Sequence, residues 1–131
     1  FKNSRCVIPI TGWYEWKEED DIKQPYYFYD NSDSLLFAAG LYWNRSSGDI
    51  ETSIITRKAI SSLKTIHNRS PLLLSKEQRE LWVSNLSSEE IYTKILGYKY
   101  DNIDFHKVDR AVNNPKNNND SLIQKYEEVP F

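Results

Sequence analysis

The 131-residue chain has no methionine and a single cysteine, Cys6. A lone cysteine excludes an internal disulfide and a cysteine-based zinc cage. It points to a reducing cytoplasm rather than to secretion. With Phe1 first and no Met, the chain is expected not to begin at its gene's start codon. Histidine is scarce too: only His67 and His106 are present, with no third ligand in evidence, so no metal site is expected. Glycine is limited to 4 residues, and the Asn-rich stretch from Asn113 to Asn117 lacks the glycines of a phosphate loop. No apolar run approaches the ~20 residues of a membrane span, so no membrane partner is expected. Net charge is only -2 and the pI about 5.7, which excludes coating of duplex DNA by charge alone. A short single-stranded ligand remains compatible, because a few Arg or Lys contacts and ring stacking can hold it.

What is abundant is aromatic: 4 Trp, 9 Tyr and 5 Phe, most of them expected to fill a core and coat strands. Hydrophobic residues make up 39% and charged residues 27%, with a mean hydropathy of -0.69, enough core for one domain over residues 1–131. The first half reads as strands: Arg5 to Pro9, Trp13 to Lys17, Gln24 to Tyr29, Leu35 to Tyr42 and Thr52 to Thr56. Leu35 to Tyr42 is nearly all apolar, as in a strand buried on both faces. Glu18 to Asp21 reads as a solvated turn. The second half turns helical. A single turn is expected over Ser61–Ile66. Ser75 with Gln78, and Ser87 with Glu90, have the spacing of capping boxes. The first helix should bury Leu81 and Trp82, the second Ile91, Ile95 and Leu96, with Gly97 as its stop. Asp104 to Val108 reads as a returning strand, and the tail from Tyr126 is expected to be frayed or held by crystal contacts. One α+β unit is the simplest architecture.

Two local contexts stand out as chemistry. Glu15 sits in Gly12-Trp13-Tyr14-Glu15-Trp16, and a carboxylate among rings is partly desolvated, which raises its pKa toward the range of a useful acid or base. The plain alternative is a solvent-facing Glu on an amphipathic strand. Strict alternation puts Trp13 on the face of Glu15 and Trp16 on the other, so burying both indoles requires a twist or bulge. His67 lies in a loop before Pro71 with Arg69 two residues on, a proton carrier beside a fixed cation. Its plain reading is a satisfied surface or core residue. Cys6, followed by Val7 and Ile8, reads as a small buried core residue rather than a nucleophile. His106, inside a strand, has little claim.

Taken together the blocks resemble one family. Arg5-Cys6-Val7-Ile8-Pro9, Gly12 to Lys17, Lys23-Gln24-Pro25-Tyr26, Ala39-Gly40-Leu41, Ile54-Ile55-Thr56 with Ala59, Ile66 to Leu72, Val108 to Asn117 and Leu122-Ile123 are similar, in order, to the SOS response-associated peptidase (SRAP) family. The resemblance implies an α+β domain whose mixed β-sheet curls toward a barrel with flanking helices. It implies an abasic-site sensor for single-stranded DNA. In such proteins the initiator Met is removed autocatalytically, and the exposed N-terminal Cys closes a thiazolidine with the abasic aldehyde, a DNA–protein crosslink. By resemblance Glu15 is the acid/base group, His67 stands beside the sugar and its phosphate, and Arg69 neutralises a backbone phosphate. Thr56 and Trp16 are assigned to the DNA-binding surface in the same way. No cofactor is implied.

The chain also departs from the family pattern. The N-terminal Met-Cys-Gly-Arg start is absent, as is the segment bearing a catalytic Asn and another Arg. Cys6 aligns with an internal position, so the nucleophile is not transferred to it. Ser70 stands where Met is common. A chain lacking that first segment is expected to be inactive alone and to self-associate through unpaired sheet edges. Two rival readings stay open: a non-catalytic module for single-stranded nucleic acid, and a hydrolase using Cys6 with His67.

Overall fold

The computed structural model describes residues 4–95 and 97–130. Leu96, expected in the stripe of the second helix, lies outside them. The order of elements is β1 (Arg5–Ile10), β2 (Gly12–Glu19), β3 (Ile22–Asp30), β4 (Leu36–Asn44), β5 (Ile50–Ile54), β6 (Thr56–Lys58), β7 (Arg69–Pro71), α1 (Lys76–Trp82), α2 (Ser88–Ile95) and β8 (Ile103–Lys107), with short 3₁₀ turns between.

The strands form two three-stranded sheets, β1-β4-β5 and β2-β3-β8, and a two-stranded ribbon, β6-β7. The fold is α+β, and every strand pairing is antiparallel, so the sheets are not mixed in direction. Only Thr11 separates β1 from β2, so one continuous passage of chain serves both sheets and curls the structure toward a barrel that stays open. Alternation along the strands then sorts the side chains. Leu36 and Ala38 of β4 face inward with Ile10, Leu73, Trp13 and Ile103. Trp13 and Ile103 also pack on the second cluster, Tyr26, Phe28, Ala59, Leu63 and Ile66, so the two indivisible parts of the core meet at these side chains. The opposite face of the first sheet, with Ala39, Val7 and Leu41, is covered by Trp82 of α1 and by Ile91 and Ile95 of α2.

The helices start as their sequences demand. Ser75 accepts from the Gln78 N–H while the Gln78 side chain accepts from the Ser75 N–H, a complete capping box. Ser87 and Glu90 repeat the exchange at α2. The far end of α1 is held by Arg5. Its Nε donates to the Trp82 carbonyl at 2.6 Å and its Nη2 to those of Ser84 and Leu86 at 2.9 and 3.1 Å. A buried guanidinium there meets the negative end of the helix dipole.

Four expectations are corrected in detail. No bulge interrupts β2: its register with β3 runs unbroken from Gly12 opposite Tyr29 to Glu19 opposite Ile22. Trp13 is therefore covered and Trp16, on the other face, is 39% exposed. The expected strand Thr52–Thr56 is two strands, β5 and β6, divided at Ile55, whose N–H still donates to Ala39 of β4 while its carbonyl accepts from Leu72, next to β7. The carboxylate turn shrinks to Asp20-Asp21, both at positive φ (48° and 62°), as a two-residue hairpin turn requires. Tyr126 does not fray from its neighbour: its N–H donates to the Lys107 carbonyl at 2.9 Å.

Candidate functional site

β2 delivers Glu15 on the inner face of its sheet, two residues from Trp13 and directly across from Tyr26. Trp13 is stacked on Phe28, with centroids 5.0 Å apart and 16° between planes, so the wall beside Glu15 is rigid. Burial is the largest influence on the Glu15 carboxyl and pushes its pKa above the ordinary range. The nearby His67 pulls it back in part, and so does the Trp13 indole N–H. The indole acts by proximity, since its buried Nε1 meets no acceptor in hydrogen-bond geometry.

His67 arrives from the loop between the 3₁₀ turn Ser61–Thr65 and β7. Its Nδ1 lies 3.7 Å from Glu15 Oε2, within reach of an ion pair and beyond a hydrogen bond. The same Nδ1 is 3.1 Å from the Arg69 N–H and 3.1 Å from the Arg69 carbonyl. The Arg69 N–H donates to Nδ1 in the tautomer protonated at Nε2, and the Arg69 carbonyl accepts in the tautomer protonated at Nδ1. A proton gained at Nδ1 would face the Arg69 carbonyl and the Glu15 carboxylate. His67 is 40% exposed and Glu15 20%, which leaves the pair open to a ligand on one side.

Arg69 completes the row. Its Nη2 donates to the Thr56 carbonyl at 2.8 Å and to Thr56 Oγ1 at 3.1 Å, and its Nε to the same hydroxyl at 3.3 Å. Thr56 therefore acts on Arg69, holding an exposed guanidinium in a set direction ready for an anion. The structure brings together Glu15, His67, Arg69 and Thr56, four residues drawn from β2, a loop and the β6-β7 ribbon. It does not bring Trp16 to them. Trp16 lies on the other face of β2, beside Tyr14 at 6.3 Å, and its indole N–H donates to Asn113 Oδ1 at 2.6 Å.

Trp13 is the site residue that sequence reasoning treated only as a neighbour. The signal was available in the two-residue spacing that puts it on the face of Glu15. The Asn-rich stretch is structural as expected. Asn114 accepts from the Lys116 N–H, and Asn117 donates to the Ala111 carbonyl. Cys6 faces Ile8 and the Cα of Gly40 in the first sheet, and burial raises its thiol pKa, the wrong direction for a nucleophile. Among the described residues no group of three His, Cys, Asp or Glu side chains is arranged to hold a metal ion.

The sequence pattern of the SOS response associated peptidase (SRAP) family matches residues 1–115, a span that takes in Glu15, Thr56, His67 and Arg69. Abasic site processing protein YoqW of Bacillus subtilis (strain 168) is 34% identical over 131 residues, covering 95% of this chain and 58% of that protein. Abasic site processing protein YedK of Escherichia coli (strain K12) is 32% identical over 130 residues, covering 95% of this chain and 59% of the relative. The crystal structure of a protein from Bacteroides thetaiotaomicron matches the fold with a TM-score of 0.80 at 28% identity, over 96% of this chain and 58% of that one. The chain thus spans a little over half the length of these relatives. In sequence pattern and in fold alike, the chain belongs to the SRAP family.

Proposed function

We propose that this chain is the part of an abasic-site processing protein that supplies the proton-transfer half of the site. Its ligand is single-stranded DNA carrying an abasic residue. The observation that carries the reading is the meeting of a desolvated carboxylate and an imidazole 3.7 Å apart, with the same imidazole nitrogen against the backbone of Arg69, whose guanidinium Thr56 anchors.

The chemistry follows from the sugar. An abasic sugar rests mostly as a closed hemiacetal, which cannot react with an amine until it opens. Opening moves the anomeric hydroxyl proton to a base and delivers a proton to the ring oxygen, leaving a C1 aldehyde. Glu15, with its raised pKa, can take the first proton and return it. His67, through Nε2–H, can donate to the ring oxygen or to a phosphate oxygen. Arg69 holds the adjoining phosphate. An N-terminal Cys amine, outside this chain, then adds to the aldehyde. Loss of water gives the imine, and addition of the Cys thiol across the C=N bond closes the thiazolidine. Removal of the initiator Met is what frees that amine, and a reducing cytoplasm is what keeps the thiol free.

The test uses the gene product extended to its natural start. Wild type should crosslink an abasic single strand, and Glu15→Gln should slow the crosslink by ~10²–10⁴-fold. Equal rates would remove Glu15 from the chemistry and the reading with it.

A further inference from the structure

The β6-β7 ribbon places Lys58 directly opposite Arg69. Strand alternation puts Thr56, Lys58 and Arg69 on one exposed face, and Arg57 and Ser70 on the other. Arg57 is committed inward, its Nη1 donating to the Tyr98 carbonyl at 2.6 Å, and Ser70 is buried. Like charges directly opposite on one face destabilise a strand pair. No carboxylate offsets them: among the described residues neither Lys58 nor Arg69 has one within ion-pair distance. A two-cation face of this kind is stabilised by an anion that spans both.

The same face borders an apolar groove of about 460 Å³, walled by Ile55, Leu72, Ile91 and the exposed Tyr92. Phosphates on the ribbon would set the attached bases toward that wall. Arg69 is pinned by Thr56 and has one direction to offer. Lys58 carries a flexible four-carbon stem and can reach past it.

We propose that Lys58 is a second phosphate contact, taking the phosphodiester next to the one held by Arg69. The ligand class is therefore a strand with at least two consecutive phosphodiesters, not a free sugar phosphate or a nucleotide. The inference rests on the nucleic-acid reading above and adds to it a residue and a minimum ligand length.

Equilibrium binding tests it without any crosslinking step. The probes are a short intact single strand, the same strand with one abasic residue, and 2-deoxyribose 5-phosphate. Lys58→Ala should weaken both strands about fivefold at low salt, and lower the log–log salt slope by about 0.7. Lys58→Arg should restore slope and affinity. Lys23→Ala, a charge removed from the far hairpin, should change neither. The sugar phosphate should bind wild type and Lys58→Ala equally. Lys58→Ala should also melt no lower than wild type, because it relieves a repulsion.

An unchanged slope in Lys58→Ala, an equal loss in Lys23→Ala, or a wild type that binds no strand would overturn the proposal. An equal loss of sugar-phosphate binding would place Lys58 on the phosphate of Arg69 and overturn the two-phosphate assignment. A wild type that binds intact and abasic strands alike, and whose extended form makes no crosslink, would remove the abasic-site reading and leave the Lys58 contact standing.

Discussion

Glu15 and His67 are 52 residues apart in a chain of 131 and meet with Oε2 3.7 Å from Nδ1. The carboxylate is held by a strand and the imidazole by a loop, so their spacing depends on β2 and the Ser61–Thr65 turn staying packed on the same core. The pair has a consequence for stability. Burial raises the Glu15 pKa above its unfolded value. A carboxyl shifted upward contributes stability fully below its unfolded pKa, and that contribution is lost as pH rises through the folded value. Glu15 is therefore a liability near neutrality. Glu15→Gln should unfold at a higher urea midpoint than wild type at pH 7, and the gap should close in acid below the ordinary carboxylate range. A variant less stable at pH 7 would mean that His67 outweighs burial.

Asp30 runs the opposite way. It is 1% exposed at the end of β3. Tyr100 donates to it at 2.6 Å, the Ser32 and Ser34 N–H groups at 2.8 and 3.3 Å, and Asn102 Nδ2 at 3.2 Å. Burial is the largest single influence and raises its pKa, but the donors together outweigh it and the net direction is down. Stability from a lowered carboxyl is present above the unfolded pKa and is lost as pH falls through the folded one. Asp30→Ala should cost about 3 kcal/mol by chemical denaturation at pH 7, because it orphans buried donors. The loss should shrink in acid, where wild type weakens too. An exposed-residue cost of under ~0.5 kcal/mol would contradict the hub.

Gly12 begins the motif that carries Glu15, and its reason is contact. A Cβ there would sit 2.3 Å from the Phe28 carbonyl oxygen and 2.5 Å from the Tyr27 ring. Backbone cannot yield as a side chain tip can. Gly12→Ala should cost about 1–3 kcal/mol by overpacking and should slow crosslinking of the extended protein by displacing β2. A melting temperature equal to that of wild type would show that β2 can shift freely.

The outer edge of β5 carries Ile50, 65% exposed, and Ile54, 38% exposed. An open edge with exposed apolar residues invites pairing with a second copy. Sedimentation of this chain should show mass rising with concentration, and Ile50→Lys should lower it. A concentration-independent monomer would remove self-association from the account.

The parts of the fold legible in the sequence were those fixed by near neighbours. Ser75 and Ser87 announce their helices because the cap is completed three residues away. The Gly12 motif announces a strand because alternation needs no distant partner. The links that position the site were not legible: Arg5 finds carbonyls beyond residue 80, and Asp30 finds Tyr100 and Asn102. Glu15 and His67 could be named from local context, but their meeting could not. Trp16 shows the limit from the other side. It belongs to the same five-residue motif as Glu15, yet period-two geometry turns it to Asn113 on the far face. Lys58 carried no local signal, because its meaning lies in the residue that the ribbon sets opposite.

We propose that this chain holds the acid/base half of an abasic-site crosslinking centre whose nucleophile lies outside it. The most direct measurement is a denaturing gel of single-stranded DNA with one abasic site, run with this chain and with the gene product extended to its natural start. The account predicts a band that survives denaturation only with the extended protein. A surviving band with this chain alone would put Cys6 or a lysine in the nucleophile's role, and no band with either would contradict the claim outright.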